Sequence, residues 1–317
     1  MGNGVAWHGR ARMKPKILTT IQTYSGPLFV ADLFAGVTVA LVAIPLSLAI
    51  AIASGADPAA GLVTAIIAGF LISFLGGSRV QIGGPTGAFI VVVFGVIVAH
   101  GYDGLVLATF MAGIILIVAG LMRAGNLISF VPEAVVNGFT IGIAIIIAAS
   151  QLNDLFGLTT SGLPAEFFSK LEVLWAARGT VNWASVGIGA ATMVLIVGLR
   201  RVAPKFPGLI VAVGLTSAVV YLFHLPVDTI GSRFGALPSQ LPMPKLPGLS
   251  LDRVTELLPS AFVIAFLAGV ESLLSAMVAD RMTGGQYRRN AEVMAQGAAN
   301  MGSALFGGLP ATGAIAR

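Results

Sequence analysis

The chain alternates long apolar runs with short polar turns. Nine runs, at about 33–53, 59–75, 86–99, 105–122, 134–150, 184–199, 208–223, 258–278 and 290–306, precede a tenth that opens at Ala311 and meets the end of the sequence at Arg317. A helix needs about 20 apolar residues to cross a bilayer, and most runs come close to that. The third does not: from Thr86 it has room only for a half-helix. Pro45 sits inside the first run, where it removes a backbone hydrogen bond and bends or breaks the helix. Two long loops, 151–182 and 224–257, interrupt the pattern, the second rich in proline (Pro238, Pro242, Pro244, Pro247) and without an apolar span. Because the tenth run has hardly begun when the sequence ends, the spans that would complete a transmembrane domain are expected to lie beyond it.

One motif recurs. Gly83-Gly84-Pro85-Thr86-Gly87-Ala88 opens the third run, and Gly307-Gly308-Leu309-Pro310-Ala311-Thr312-Gly313-Ala314 opens the tenth. A proline followed by small residues suits a helix start, whose leading N–H groups have no partner inside the helix. Within a bilayer such a start is costly unless something polar occupies it. The match extends outward: Ser47-Leu48 precedes Thr86 by 39 residues, and Ser272-Leu273 precedes Thr312 by 40. Runs one to three therefore correspond to runs eight to ten, and the seven crossings between them reverse the direction. This predicts an all-α polytopic membrane protein with a seven-plus-seven inverted-repeat transporter fold, of which about the first ten spans are present. Such repeats place the substrate near the bilayer midplane, between discontinuous helices. Two facing half-helix N-termini offer N–H groups and partial positive charge, which suit an anion and repel a cation. The candidate substrate-binding residues are Pro85, Thr86, Gly87 and Ala88 on one side, and Ala311, Thr312, Gly313 and Ala314 on the other. The two threonine hydroxyls can donate to a bound oxyanion, cap their own helices, or do both.

Composition agrees with this reading. Of 317 residues 56% are hydrophobic and 10% charged, with a mean hydropathy of +0.95, whereas soluble domains carry about 25% charged residues. The 40 glycines let helices in a membrane approach closely. The lack of cysteine excludes a disulfide framework, thiolate metal sites and cysteine nucleophiles. With no HExxH pattern and no phosphate loop either, an enzyme or an ATP-driven pump has no support. The basic excess speaks of orientation, not of nucleic acid. If the tail over 1–31 is cytoplasmic and every run crosses, twelve of the 18 Lys and Arg fall on the inner side and the short outer turns carry none. This positive-inside distribution predicts a multi-pass protein of a bacterial-type inner membrane with a cytoplasmic N-terminus.

Few polar residues interrupt the runs. Glu271 lies near mid-depth of the eighth, where an acid costs roughly 2.5–3.5 kcal/mol on insertion scales and so faces a cavity or a partner. Ser275 follows one turn on, along the same helical face. The pair reads as a coupling site for H⁺ or Na⁺, as a group that modulates the anion pocket, or as a carboxyl kept protonated by neighbouring hydroxyls. Arg317, a little more than a turn beyond Thr312, would bring fork geometry to a carboxylate, sulfate or bicarbonate. Asp32 and Glu133 are expected to mark helix starts, and Asn137 and Gln151 to serve as interhelical bonds or end caps. A nucleobase-type permease of the same architecture is the alternative, but it would want paired acids where this chain offers one at mid-depth.

Three stretches taken together resemble a known family: Asp32-Leu33-Phe34-Ala35-Gly36-Val37-Thr38-Val39-Ala40 with Ile44-Pro45, then Gly84-Pro85-Thr86-Gly87, then Gly138-Phe139-Thr140-Ile141-Gly142-Ile143-Ala144. They are similar to the SulP anion permeases, the bacterial members of the solute carrier 26 family, over about residues 31–317. The resemblance implies a transmembrane domain over 32–317, incomplete, with runs one to four and eight to eleven as a core and runs five to seven and twelve to fourteen as a scaffold. A STAS domain often follows in the family and is not in this sequence. It also implies secondary active transport of a small anion (sulfate, bicarbonate, chloride or a dicarboxylate), held between half-helices three and ten and carried by an elevator-like motion of the core. The acidic position of run eight matches Glu271, tied to H⁺ or Na⁺ coupling with Na⁺ near Glu271 and Thr312, and the basic position of run ten matches Arg317. Other cofactors are not expected, and the full-length protein is expected to be a homodimer in the lipid bilayer.

Overall fold

The structure is a computed structural model that describes residues 13–126, 133–164, 166–203, 208–235 and 240–314. Helices make up nearly all of it: α1 (Gly26–Ala53), α2 (Pro58–Leu75), α3 (Ile90–Leu121), α4 (Glu133–Phe156), α5 (Phe167–Ala176), α6 (Trp183–Val202), α7 (Gly208–Leu222), α8 (Leu251–Thr283) and α9 (Arg289–Leu305). Short helices at Ile17–Thr20 and Ile230–Phe234, a few 3₁₀ turns and two short strands, β1 (Gly83–Gly84) and β2 (Thr312–Gly313), complete the description. Among the described residues, α1, α2, Gly87–Leu121, α6 and α8 are long and apolar enough to cross a membrane, while Ala144–Phe156 and Val211–Leu222 are shorter apolar helices.

Local chemistry explains where the helices depart from the apolar runs. α1 starts at Gly26 with Pro27 in its first turn, so Asp32 lies inside the helix and does not cap it; the fixed φ of proline suits that earlier start. The helix also continues through Pro45 without breaking. Asp57 caps α2 by accepting from the Ala59 N–H at 2.7 Å. Runs three and four remain two helices within the range of α3, meeting at a kink at Gly101, whose φ of 72° and ψ of 176° leave the helical region. α8 begins at Leu251 behind a Ser250 cap and takes Pro259 into its interior. The loop expected over 151–182 contains α5, whose cap Glu166 accepts from the N–H groups of Phe168 and Ser169. α4 starts at Glu133 as expected and extends to Phe156, which puts Gln151 within it; the side chain of Asn137 lies outside the described residues.

The chain forms two compact units. The second gathers the described residues of Asp32–Val42 and Ile141–Leu237. There the Thr192 hydroxyl on α6 meets Thr216 on α7 at 3.1 Å, and Arg233 pairs with Asp154 at 2.7 Å. α6 leaves Met193, Val194 and Val197 exposed, a surface suited to lipid.

The first unit gathers the described residues of Met1–Ala31, Ala43–Thr140 and Pro238–Arg317. In it α9 packs against both α2 and α3, and small residues make this possible. A Cβ at Gly297 of α9 would stand 2.6 Å from the Gly113 carbonyl oxygen and 2.7 Å from Ile117 of α3, and one at Gly302 would run into Leu71 of α2. Close backbone approach of this kind supplies the van der Waals contact that holds membrane helices together. Phe89, Leu105, Leu116, Leu257 and Ile264 fill the remaining interior.

The crossing yields a test. Gly297→Ala should lower the thermal stability of the detergent-purified protein by about 1–3 kcal/mol through overpacking, although alanine has roughly 1 kcal/mol better helix propensity. Gly198→Ala, at a helical position with no neighbour within 4 Å of an added Cβ, should be neutral or stabilising. Equal behaviour of the two variants would contradict the packing account.

Candidate functional site

The two glycine-led stretches meet directly. β1 and β2 pair antiparallel, Gly83 opposite Gly313 and Gly84 opposite Thr312, and the Ala314 N–H donates to the Ile82 carbonyl at 2.8 Å. Glycine lets the crossing pack closely: a Cβ on Gly83 would meet Ile72, and one on Gly313 the end of the Gln81 side chain, so those neighbours would have to shift. Thr86 therefore stays extended (φ −130°, ψ 157°), a 3₁₀ turn over Gly87–Phe89 follows, and α3 begins at Ile90. The tenth run likewise has its first described residues in a strand, not in a helix starting at Ala311. Residues 315–317 lie outside the described residues, and Arg317 with them.

One face of α9 supports both stretches. Glu292, Gln296, Asn300 and Ser303 all have no exposed surface and follow at spacings of four, four and three, a single helical face. Asn300 treats Ala311 as a strand neighbour would: its Oδ1 accepts from the Ala311 N–H at 2.9 Å, and its Nδ2 donates to the Ala311 carbonyl at 2.8 Å. Ser303 donates to the Leu309 carbonyl at 2.6 Å, while the Leu309 N–H donates to Thr64 of α2 at 2.6 Å. The Tyr102 hydroxyl donates to the Gly307 carbonyl at 2.7 Å. At the other end Glu292 accepts from the Gly77 N–H at 2.9 Å, from Gln296 at 2.9 Å and from Ser272 at 3.0 Å. None of these four α9 residues stands out singly in the sequence. Their regular spacing within an otherwise small and apolar run is the signal that would have found them. Glu292 is a second buried acid, in the first turn of α9, and its partners are groups that fix the backbone.

Glu271, 3% exposed on α8, faces the start of the third run. The Thr86 hydroxyl donates to its Oε2 at 2.9 Å, and makes no capping bond to its own turn. Thr312 donates to the Ala268 carbonyl at 2.8 Å, just ahead of Glu271 on the same helix. Ser275 is buried one turn beyond. The structure thus brings Thr86, Thr312 and Glu271 to one stretch of α8. Pro85, Gly87, Ala311 and Gly313 are buried around them, and Ala88 and Ala314 keep partial access. Among the described residues no three His, Asp or Glu gather as a metal cluster; a hard cation would find here one carboxylate with neighbouring hydroxyl and carbonyl oxygens.

Comparison with known proteins places this arrangement. Residues 29–317 match the sequence model of the sulfate permease family. The putative sulfate transporter YvdB of Bacillus subtilis (strain 168) is 45% identical over 296 residues, covering 93% of this chain and 56% of that protein. The bicarbonate transporter BicA of Picosynechococcus is 30% identical over 293 residues, covering 89% and 51% respectively. The chain spans about half the length of the curated relatives it matches. Among solved structures, the transmembrane domain of a cyanobacterium BicA matches with a TM-score of 0.76 at 32% identity, over 90% of this chain and 74% of that one. The structure of SLC26A9 matches with a TM-score of 0.79 at 17% identity, over 99% and 54%, and speaks for the fold alone. The architecture is the all-α, multi-pass inverted-repeat transporter fold, with about its first ten spans present, and the chain belongs to the sulfate permease family.

Proposed function

We propose that this chain carries the substrate site of a secondary transporter for a small anion of the sulfate or bicarbonate class, working by alternating access. The observation that carries the proposal is the antiparallel pairing of 83–84 with 312–313 beside a buried acid. It sets the start of the third run, where leading N–H groups and partial positive charge favour an anion, beside the second glycine-led stretch. Residues 85–88 and 311–314 are assigned to the anion, with Arg317 as its countercharge. The names of the relatives, sulfate and bicarbonate transporters, support the anion class over a nucleobase.

Glu271 is assigned to coupling, and its bond to Thr86 supplies a mechanism. A hydroxyl has a single proton to donate, and here it goes to Glu271. When H⁺ or Na⁺ neutralises the carboxylate, with Thr312 and Ser275 close by, that acceptor weakens and Thr86 can turn to the anion. Each ligand then favours the other, as linkage requires. The first compact unit is assigned to the core and the second to the scaffold of a homodimer, in an inner membrane with the N-terminus cytoplasmic.

Proteoliposomes of the full-length protein should take up labelled sulfate or bicarbonate saturably under a proton or sodium gradient. Absence of uptake for sulfate, bicarbonate and fumarate alike would overturn the proposal. Glu271→Gln should abolish the stimulation by the gradient, and gradient dependence equal to wild type would remove Glu271 from coupling. Thr86→Val should raise the KM for the anion about tenfold, the effect of one charge-assisted hydrogen bond.

A further inference from the structure

Between α4 and α6 the second unit carries α5, a helix of 10 residues, too short to cross a bilayer. At 3.6 residues per turn, Phe168, Leu171 and Trp175 share one side of it. They are 72%, 37% and 70% exposed, whereas Lys170 and Leu174 on the opposite side are buried. We infer that α5 is a lipid-docking helix, lying flat on the bilayer with this apolar stripe seated between the headgroups and the acyl chains.

Depth is the first argument. The segment after α5 is tied to the ends of three other helices. The Asn182 N–H donates to the carbonyl of Phe156, the last residue of α4, at 2.9 Å. The Asn182 side chain accepts from the Ala184 N–H in the first turn of α6 at 3.0 Å, and donates to the Pro226 carbonyl, just beyond α7, at 2.6 Å. The Thr180 hydroxyl accepts from the Thr159 N–H at 3.0 Å. These ends of α4, α6 and α7 therefore meet at one level, and α5 leads into it. Because α6 is long and apolar enough to cross a membrane, that level is a membrane surface.

Continuity is the second. α6 has no buried residue, and its first, Trp183, is 77% exposed. The lipid-suited surface of α6 thus opens with a tryptophan at the level where α5 ends with another. Tryptophan concentrates at that depth, where its ring meets hydrocarbon and its N–H meets water.

Charge is the third. The Arg178 guanidinium stands 4.7 Å from the centre of the Trp175 ring, and donates to the Trp175 carbonyl at 2.8 Å. A cation held over an interfacial ring meets the phosphates of the headgroups. Glu172, exposed beside the stripe, stays at headgroup level, where water reaches it. Phe167 braces Phe168 edge to face, with 5.4 Å between ring centroids. Buried apolar area and attraction to lipid charge are the two terms that hold such a helix to a membrane.

Tryptophan fluorescence of the full-length protein in liposomes tests this, taken as the difference from Trp175→Phe, which keeps an aromatic ring at an exposed position. Phosphatidylcholine brominated in the upper acyl chain should quench most of the Trp175 emission. Bromine near the chain end should quench less, because an interfacial helix sinks only about 5–10 Å. Iodide in the water should also quench less than the upper-chain bromine. Strong iodide quenching without bromine quenching would place the stripe in water, and protection from both would mean that a second copy or another protein covers it. Either result, or strongest quenching from the chain end, would overturn the inference. The readout involves no transport, so it stands apart from the assignment of the anion site.

Discussion

A peptide group in hydrocarbon must find its partner within the protein, and this chain carries two stretches without α-helix, 83–86 and 308–313, through its interior. The antiparallel pairing of Gly83 and Gly84 with Gly313 and Thr312 answers that demand. Each segment lends its backbone to the other, and further groups go to Thr64 of α2, to Tyr102 and to the polar face of α9. Asn300, Ser303 and Thr64 take up Leu309 and Ala311, while Glu292 takes up Gly77. The glycines suit the same constraint, since a Cβ at Gly83 or Gly313 would displace the Ile72 or Gln81 side chain packed against the crossing.

The pairing also decides what the interior can do. By fixing where the third run begins, it carries the Thr86 hydroxyl to Glu271 on α8. The two interior acids are then distinguished by their partners. Glu292 is surrounded by donors that hold the fold in place, whereas Glu271 meets a hydroxyl at the opening of a helix. An acid in the second setting has a partner with somewhere else to turn, and this is what a coupling mechanism needs.

Much of this was legible from the sequence, for identifiable reasons. The apolar runs and the recurring Gly-Gly, Pro, Thr-Gly-Ala order announce spans and broken helices because each rests on local chemistry. The Thr86–Glu271 contact was not legible, since it joins residues 185 apart and depends on the strand crossing. Asp32 looked like a cap because it precedes the apolar run, but Pro27 starts α1 sooner. Pro45 was expected to bend or break the helix, and α1 runs through it without a break. The α9 stripe was missed because Glu292, Gln296, Asn300 and Ser303 are unremarkable singly and acquire meaning only on one helical face.

The central claim is that Thr86 and Glu271 act as one unit at the anion site. A double-mutant cycle tests it most directly: anion affinity for the wild type, Thr86→Val, Glu271→Gln and the double variant, each with and without the coupling cation. Two residues acting as one unit give strong non-additivity, with the double variant no weaker than the worse single one and an interaction energy of about 1 kcal/mol or more. Losses that add to within about 0.5 kcal/mol, as for independent sites, would contradict it.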